Sequence, residues 1–255
     1  MEQIALAELR NIGKRFGGVI ALDKVDLTIH SGEVIGLVGD NGAGKSTLIK
    51  ILSGAYSPDQ GEVFFRGTPV QIRNPREAKE LGIETVYQDL ALVNTLDVPG
   101  NIFLGREIIR FGMGPVRVLD KPQMSRQAQE ILDRLGISLS ALGTEVGLLS
   151  GGQRQSVAIS RAIFTEPKLL ILDEPTAALA VREVEHVLEL MRNLRAQKIG
   201  LIFISHVLQE VFAVADRIVV LRKGQKVADL LTEETSIDAV VNFMIGQLDD
   251  FRGNV

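Results

Sequence analysis

Short runs of aliphatic and β-branched residues recur along the chain at strand length. They lack strict polar alternation, which indicates strands buried on both faces of a parallel sheet. Between them, apolar residues fall at i, i+3, i+4 and i+7, as in Leu48–Ala55 and Val184–Met191. Strands that alternate with amphipathic helices predict an α/β fold with helices on both faces of the sheet. The predicted strands are residues 34–39, 83–88, 168–174, 200–206 and 217–224.

Two N-terminal regions follow a different pattern. Residues 1–33 and 61–72 contain segments that alternate between polar and apolar side chains, such as GEVFFRGTPVQI. This alternation predicts an antiparallel sheet beside the α/β core.

Residues 89–163 contain no convincing buried strand, and they predict a mostly helical insertion. Within it, Ser125 is the expected N-cap of a helix that Gly136 is placed to end. The last residues, QLDDFRGNV, are expected to fray. The chain is thus predicted to divide into a core of residues 1–88 and 164–255 and a helical subdomain of residues 89–163.

Composition narrows the possible functions. Of the 255 residues, 45% are hydrophobic and 24% are charged, which are ordinary values for a globular chain. The net charge of -4 argues against nucleic acid as the main partner, because neutralising phosphates requires an excess of Lys and Arg. The absence of cysteine excludes disulfides and zinc–thiolate sites. With no signal-peptide pattern and no apolar run near the ~18 residues that span a bilayer, a soluble cytoplasmic chain is expected.

Residues 39–47, GDNGAGKST, fit the P-loop pattern G-x-x-x-x-G-K-[ST] between an apolar strand and an amphipathic helix. The glycines allow backbone N–H groups to converge on phosphate oxygens, and the helix N-terminus adds its dipole. Lys45 is expected to reach the terminal phosphates, and the Ser46 hydroxyl to ligate Mg²⁺. The predicted nucleotide contacts in this loop are Asn41, Gly42, Ala43, Gly44, Lys45, Ser46 and Thr47.

A second buried strand, KLLILDE, ends in two carboxylates. Beside a P-loop, Asp173 would bind Mg²⁺ directly or through its water, and Glu174 would polarise the attacking water as general base. No N-K-x-D stretch is present to read guanine, which favours ATP over GTP. Phe16, in KRFGGVIAL, offers a face on which adenine can stack; the alternative is a core residue.

Residues 148–155, LLSGGQRQ, place a serine before two glycines, which by itself is typical of a helix N-cap. Followed by the helix RQSVAISRAI and the strand LLILDE, it resembles the ATP-binding subunit of ABC transporters. The resemblance covers roughly residues 4 to 245 and implies a P-loop NTPase (RecA-like) core. In that family two domains pair head to tail, so that the P-loop of one and the SGGQ of the other enclose each ATP. The residues implied to bind the partner's ATP are Ser150, Gly151, Gly152 and Gln153.

Two further positions match family motifs. Gln88 ends the strand IETVYQ, where the family's Q-loop glutamine senses Mg²⁺ and water; the alternative is a buried polar strand end. His206 ends GLIFISH, where the family's switch histidine touches the γ-phosphate. Its place at the carboxyl end of a core strand favours that role over a structural one. The resemblance therefore implies Lys45, Gln88, Glu174 and His206 as catalytic residues, with Ser46, Gln88 and Asp173 near the metal.

One position departs from the family pattern. After the strand LLILDE the family has a D-loop aspartate that helps to couple the two ATP sites, whereas this chain has Ala180. We expect Ala180 to weaken communication between the sites without abolishing hydrolysis, because Glu174, His206 and SGGQ are retained.

Residues 86–107, VYQDLALVNTLDVPGNIFLGRE, resemble the ATPases of bacterial monosaccharide importers of the ribose, xylose and fructose type. This implies an ATPase subunit at the cytoplasmic face of the inner membrane, driving import through transmembrane permease subunits that work with a separate sugar-binding protein. One nearly complete set of motifs predicts an ATP-bound homodimer. The alternative is a soluble ABC-type ATPase acting on nucleic acid or ribosomes, and the acidic charge and lack of coiled-coil arms disfavour it.

Overall fold

The computed structural model describes residues 5–113, 116–139 and 141–247. The residues that are expected to fray, 247–255, lie outside these ranges except for Gln247. The strands are β1 (Ala7–Phe16), β2 (Val19–Ile29), β3 (Val34–Val38), β4 (Gln60–Phe65), β5 (Thr68–Val70), β6 (Ile83–Val86), β7 (Ile109–Met113), β8 (Val116–Leu119), β9 (Leu169–Asp173), β10 (Gly200–Ile204), β11 (Arg217–Arg222) and β12 (Gln225–Leu231). The helices are α1 (Lys45–Leu52), α2 (Pro75–Leu81), α3 (Val98–Ile102), α4 (Lys121–Arg134), α5 (Gly151–Ile163), α6 (Val181–Ala196), α7 (Leu208–Val214) and α8 (Ile237–Ile245).

The central sheet has six strands in the order β12-β11-β3-β10-β9-β6. All neighbouring pairs are parallel except β11 and β12, which are antiparallel. Each of the five strands that the sequence predicts is present in this sheet. The observed strands end earlier than predicted because the chain leaves the sheet for a loop at its carboxyl edge.

Both faces of this sheet are covered, which explains why its strands are apolar without alternation. In β3, Ile35 and Leu37 face a cluster that contains α1 and the β1–β2 sheet. Val34 and Val38 point to the other face, where they belong to a cluster with α3 to α8. Successive side chains of a strand alternate between faces, so every position of β3 must be apolar or small.

The predicted antiparallel sheet is confirmed, with the order β2-β1-β4-β5. Its strands pair antiparallel throughout. Buried residues such as Leu9, Leu27 and Val63 pack with α1 against one face of the central sheet.

The segment between β6 and β9 contains α3, α4 and α5, together with a two-stranded hairpin of β7 and β8 that the sequence did not predict. The described side chains of this hairpin, Phe111 and Val118 among them, are exposed, so they form no buried run. Helix α4 begins at Lys121, and its N-cap is Asp120, whose side chain accepts a hydrogen bond from the amide of Gln123 (3.0 Å). Ser125 therefore lies inside the helix, and its prediction as N-cap is wrong. The predicted end is confirmed, since Gly136 follows the C-cap with φ 71°.

No helix in the described ranges has the length and apolar character needed to cross a bilayer.

Candidate functional site

Four segments that are distant in sequence meet at the carboxyl edge of the central sheet. The strands β3, β10, β9 and β6 are neighbours, and their ends are in register. The P-loop follows β3, and His206 follows β10. Asp173 ends β9 with Glu174 next to it, and Gln88 follows β6. This edge is where ligands bind in open α/β sheets.

The loop from β3 to α1 has a backbone that only glycine adopts readily. Gly39, Gly42 and Gly44 have φ values of 147°, 79° and 109°. A Cβ atom on Gly39 would lie 2.2 Å from the Leu221 carbonyl oxygen, and one on Gly44 would lie 2.7 Å from the Ala21 carbonyl oxygen. A Cβ atom on Gly42 would meet no atom within 4 Å. The loop is thus packed closely on one side and open at Gly42.

The Lys45 side chain curls onto this loop and is only 7% exposed. Its Nζ donates to the carbonyl oxygens of Gly39 (2.6 Å) and Asp40 (3.1 Å). Burial lowers the pKa of the Lys45 ammonium, and the nearby carboxylates of Glu174, Asp40 and Asp173 partly oppose this. Phosphate oxygens would give this desolvated cation a stronger partner than the two carbonyls do.

Glu174 and His206 form a close pair beside the P-loop. The Nε2 atom of His206 lies 2.5 Å from Oε1 of Glu174. Glu174 has a left-handed backbone with φ 52°, and its amide donates to the Ile204 carbonyl oxygen of β10 (2.9 Å). Such a conformation costs energy and persists where neighbouring strands impose it. The arrangement holds a carboxylate in one orientation, as a general base requires.

Asp173 ends β9 with a half-buried carboxylate. Burial raises its pKa, and Glu174 adds to the shift, while Lys45 opposes it. Among the described residues, no group of three or more His, Cys, Asp or Glu side chains could hold a metal ion. The donor set nevertheless fits Mg²⁺, which commonly takes one or two carboxylates together with substrate phosphates and waters.

Gln88 is exposed two residues beyond the end of β6. The alternative of a buried polar strand end is therefore wrong. Tyr87 links this segment to α1, because its hydroxyl donates to Ser53 Oγ (2.9 Å).

Phe16 is an exposed aromatic at the end of β1, with 43% of its surface accessible, so the core alternative is wrong. Its ring meets Tyr56 edge to face, with centroids 5.1 Å apart. Tyr56 was not predicted from the sequence, because its contact with Phe16 joins two separate segments.

Ser150 is the N-cap of α5. Its hydroxyl accepts from the Gln153 amide (3.3 Å), and the Gln153 side chain accepts from the Ser150 amide (3.0 Å). In the described ranges, the hydrogen bonds of the Ser150 and Gln153 side chains stay within SGGQ, and Gly152 packs against Glu183 of α6. The structure therefore brings SGGQ next to α6 and gives it no hydrogen bond to the P-loop.

Comparison with known proteins agrees with this geometry. A family model described as ABC transporter matches residues 22–177. The xylose/arabinose import ATP-binding protein XylG of Sulfolobus acidocaldarius is 45% identical, covering 94% of this chain and 93% of that protein. The chain belongs to the ABC transporter family. It is an ABC transporter ATPase.

Two further relatives have the same kind of name. The fructose import ATP-binding protein FrcA of Rhizobium meliloti is 45% identical, covering 96% of each chain. The ribose import ATP-binding protein RbsA 1 of Rubrobacter xylanophilus is 47% identical over 95% of this chain but only 47% of that protein.

Solved ABC cassettes share the fold. An ATP-binding cassette of an ABC transporter in its ADP conformation has a TM-score of 0.82 and 31% identity, covering 95% of this chain and 99% of that one. A dimeric cassette in a post-hydrolysis state, bound to ADP and Pi, has a TM-score of 0.73 and 26% identity, covering 89% and 98%.

Sequence reasoning missed Glu210, which ties together the loops that carry Glu174 and His206. Its Oε2 accepts from the hydroxyls of Thr176 (2.6 Å) and Ser205 (3.0 Å). The sequence signals this contact only weakly. A hydroxyl residue follows each of β9 and β10, and an acidic residue lies in the first turn of α7. We infer that Glu210 positions the two loops of this ABC cassette.

The adenine position can be tested at Phe16. Phe16→Ala should weaken ADP binding about tenfold, because stacking of a base on an aromatic ring contributes on the order of 1–3 kcal/mol. Isothermal titration with Mg-ADP measures the change. Phe16→Tyr keeps the ring and should bind normally. Equal affinity for the Ala variant would place the adenine elsewhere.

Asp173→Asn should raise the thermal midpoint of the nucleotide-free protein at pH 7. Because the folded-state pKa of Asp173 is raised, its charged form destabilises the fold at pH values above that pKa, and this penalty disappears as pH falls through it. The difference in thermal midpoint between the variant and the parent should therefore shrink at about pH 4. Thermal unfolding at both pH values checks this, with exposed Asp133→Asn as control. An equal rise in the thermal midpoint at both pH values would contradict a destabilising effect of the Asp173 charge.

Proposed function

We propose that this chain is the ATP-hydrolysing subunit of a monosaccharide importer and that it works as a head-to-tail homodimer. The observation that carries this proposal is the separation of SGGQ from the P-loop: each half-site is present, and a second copy would complete it. The sugar class is supported by the relatives named for xylose/arabinose, fructose and ribose import. These relatives also favour import over the alternative of an ATPase acting on nucleic acid or ribosomes.

In the proposed dimer, Phe16 stacks on adenine, and residues 41–47 bind the phosphates through backbone amides and Lys45. Ser150 and the amides at Gly151 and Gly152 of the partner copy donate to the γ-phosphate, and Gln153 fixes the Ser150 cap. Because ADP lacks the γ-phosphate, ATP would favour the dimer and hydrolysis would favour its dissociation.

Hydrolysis would proceed by in-line attack of water on the γ-phosphorus. Glu174 accepts the water proton while the bond between the γ-phosphorus and the bridging oxygen of ADP breaks. His206 holds the Glu174 carboxylate and contacts the γ-phosphate. Mg²⁺, held by Ser46 and Asp173 and sensed by Gln88, would neutralise charge on the phosphates.

The segment after Gln88 is the proposed contact with transmembrane permease subunits, which would work with a separate sugar-binding protein and hold this chain at the cytoplasmic face of the inner membrane. Arg161 of α5 donates to the carbonyl oxygens of Leu90 (2.6 Å) and Ala91 (2.8 Å). Beside it, a cavity of about 220 Å³ is lined by residues of β6, α3 and α5. Residues 89–163, taken as a subdomain, would transmit permease motion through Arg161 to SGGQ.

Mixing two inactive variants tests the shared site. Lys45→Ala removes the P-loop cation, and Ser150→Arg blocks the SGGQ donors, so each variant alone should hydrolyse almost no ATP. A mixed dimer contains one site with an intact P-loop and an intact SGGQ, and the mixture should regain a substantial fraction of the parent rate. ATPase assays at a fixed total concentration measure this. An inactive mixture that forms mixed dimers would contradict the head-to-tail arrangement.

A further inference from the structure

The Glu183 carboxylate lies on the donors of SGGQ. Its Oε2 accepts a hydrogen bond from the backbone amide of Ala180 (3.2 Å), and the side chain packs against Gly152 beside the Ser150 hydroxyl. A Cβ atom on Gly152 would lie 2.8 Å from the Glu183 Cβ and 2.9 Å from its Cδ, so the two residues are in close contact. The nearby Ser150 hydroxyl is the main reason that the pKa of Glu183 lies below its usual range.

The reason for this position is found at the start of α6. Ala180 is the N-cap residue and has no side chain that can accept a hydrogen bond. Glu183, three residues later, turns back to the Ala180 amide, and this conformation carries its carboxylate over Gly152.

A γ-phosphate of the partner's ATP would need the same donors. An amide N–H or a hydroxyl proton that is bonded to one anion is not available to a second, and two anions at hydrogen-bond distance from one donor repel each other. The two ligands are therefore mutually exclusive at Ser150 and Gly152.

We propose that Glu183 is a built-in competitor of the partner's γ-phosphate at SGGQ. This inference rests on the proposed head-to-tail dimer. In the monomer the carboxylate lies against these donors, and it must swing away before the ATP sandwich closes. ADP offers no group that displaces it, and for ATP the competition raises the nucleotide concentration that dimerisation requires.

The test uses the Glu174→Gln protein, which is expected to retain ATP. Glu183→Gln keeps the size of the side chain without its charge, and Glu183→Asp keeps the charge on a side chain one methylene shorter. Both should lower the ATP concentration at half-maximal dimerisation about tenfold, as expected when one charge-assisted interaction is withdrawn. Light scattering across an Mg-ATP titration measures it. Glu185→Gln, on the same helix, removes one charge away from SGGQ and should leave the midpoint unchanged.

The other outcomes overturn the inference in distinguishable ways. If the Glu183 variants dimerise at the parent concentration or higher, Glu183 does not compete, and the proposed function stands. If Glu183→Gln and Glu185→Gln shift the midpoint equally, net charge is responsible. If the parent with bound ATP stays monomeric, the head-to-tail dimer fails first and the competition fails with it. Thermal unfolding of each variant separates these results from a folding defect.

Discussion

Glu174→Gln is expected to lower the rate of ATP hydrolysis by a factor of about 10²–10⁴, the usual contribution of a positioned general base. The amide has nearly the same size and can still accept a hydrogen bond from His206 Nε2, which lies 2.5 Å from Glu174 Oε1. The P-loop and Lys45 are unchanged, so ATP binding should persist. The variant should therefore bind ATP without hydrolysing it and accumulate as an ATP-bound dimer.

Light scattering in Mg-ATP and in Mg-ADP measures this outcome directly. We expect a dimer with ATP and a monomer with ADP. Glu189→Gln, a change of the same type at an exposed position of α6, should hydrolyse ATP at the parent rate. If the Glu174 variant retains more than about a tenth of the parent activity, Glu174 is not the general base.

Lys45→Ala should weaken the binding of ATP and ADP by about 100-fold, because it removes a desolvated cation that phosphate oxygens would pair with. In the free protein the Nζ atom has only the carbonyl oxygens of Gly39 and Asp40 as its hydrogen-bond partners in the described ranges. Burial already lowers the pKa of Lys45, so the unliganded fold carries the cost of this ammonium. The variant should consequently unfold at an equal or higher temperature without nucleotide.

Nucleotide affinity should fall while the thermal stability of the free protein stays the same or rises. Measuring both therefore separates a loss of binding from a loss of folding. Isothermal titration gives the affinity, and thermal unfolding with and without Mg-ADP gives the ligand-induced shift, which should be much smaller in the variant at the same ADP concentration. Lys121→Ala, an exposed change at the start of α4, should preserve both. A variant that loses nucleotide binding because it has lost stability would contradict the electrostatic account.

The elements that the sequence predicted correctly are those encoded by contiguous residues. A strand buried on both faces requires an apolar run, so β3, β6, β9, β10 and β11 could be read directly from the pattern. The P-loop was predictable for the same reason, because its glycines and Lys45 lie within nine successive positions, 39–47, between a strand and a helix. Errors arose where the signal was weak: the described side chains of the β7–β8 hairpin are exposed, and Asp120 competes with Ser125 as an N-cap.

The functional positions of Gln88, His206, Ser150 and Ala180 came from resemblance to a family, since their spacing alone does not identify them. What the sequence determined by itself was therefore the α/β core, the phosphate loop and the acids at the end of β9.

Only the tertiary structure decided which of these residues meet. The Glu174–His206 pair and the Glu210 bridge exist because β9 and β10 lie side by side and end in register. The contact of Glu183 with Gly152 likewise depends on how α5 packs against α6. No local pattern encodes such contacts, because they form between segments that the chain brings together only when its apolar strands and helices bury their shared surface.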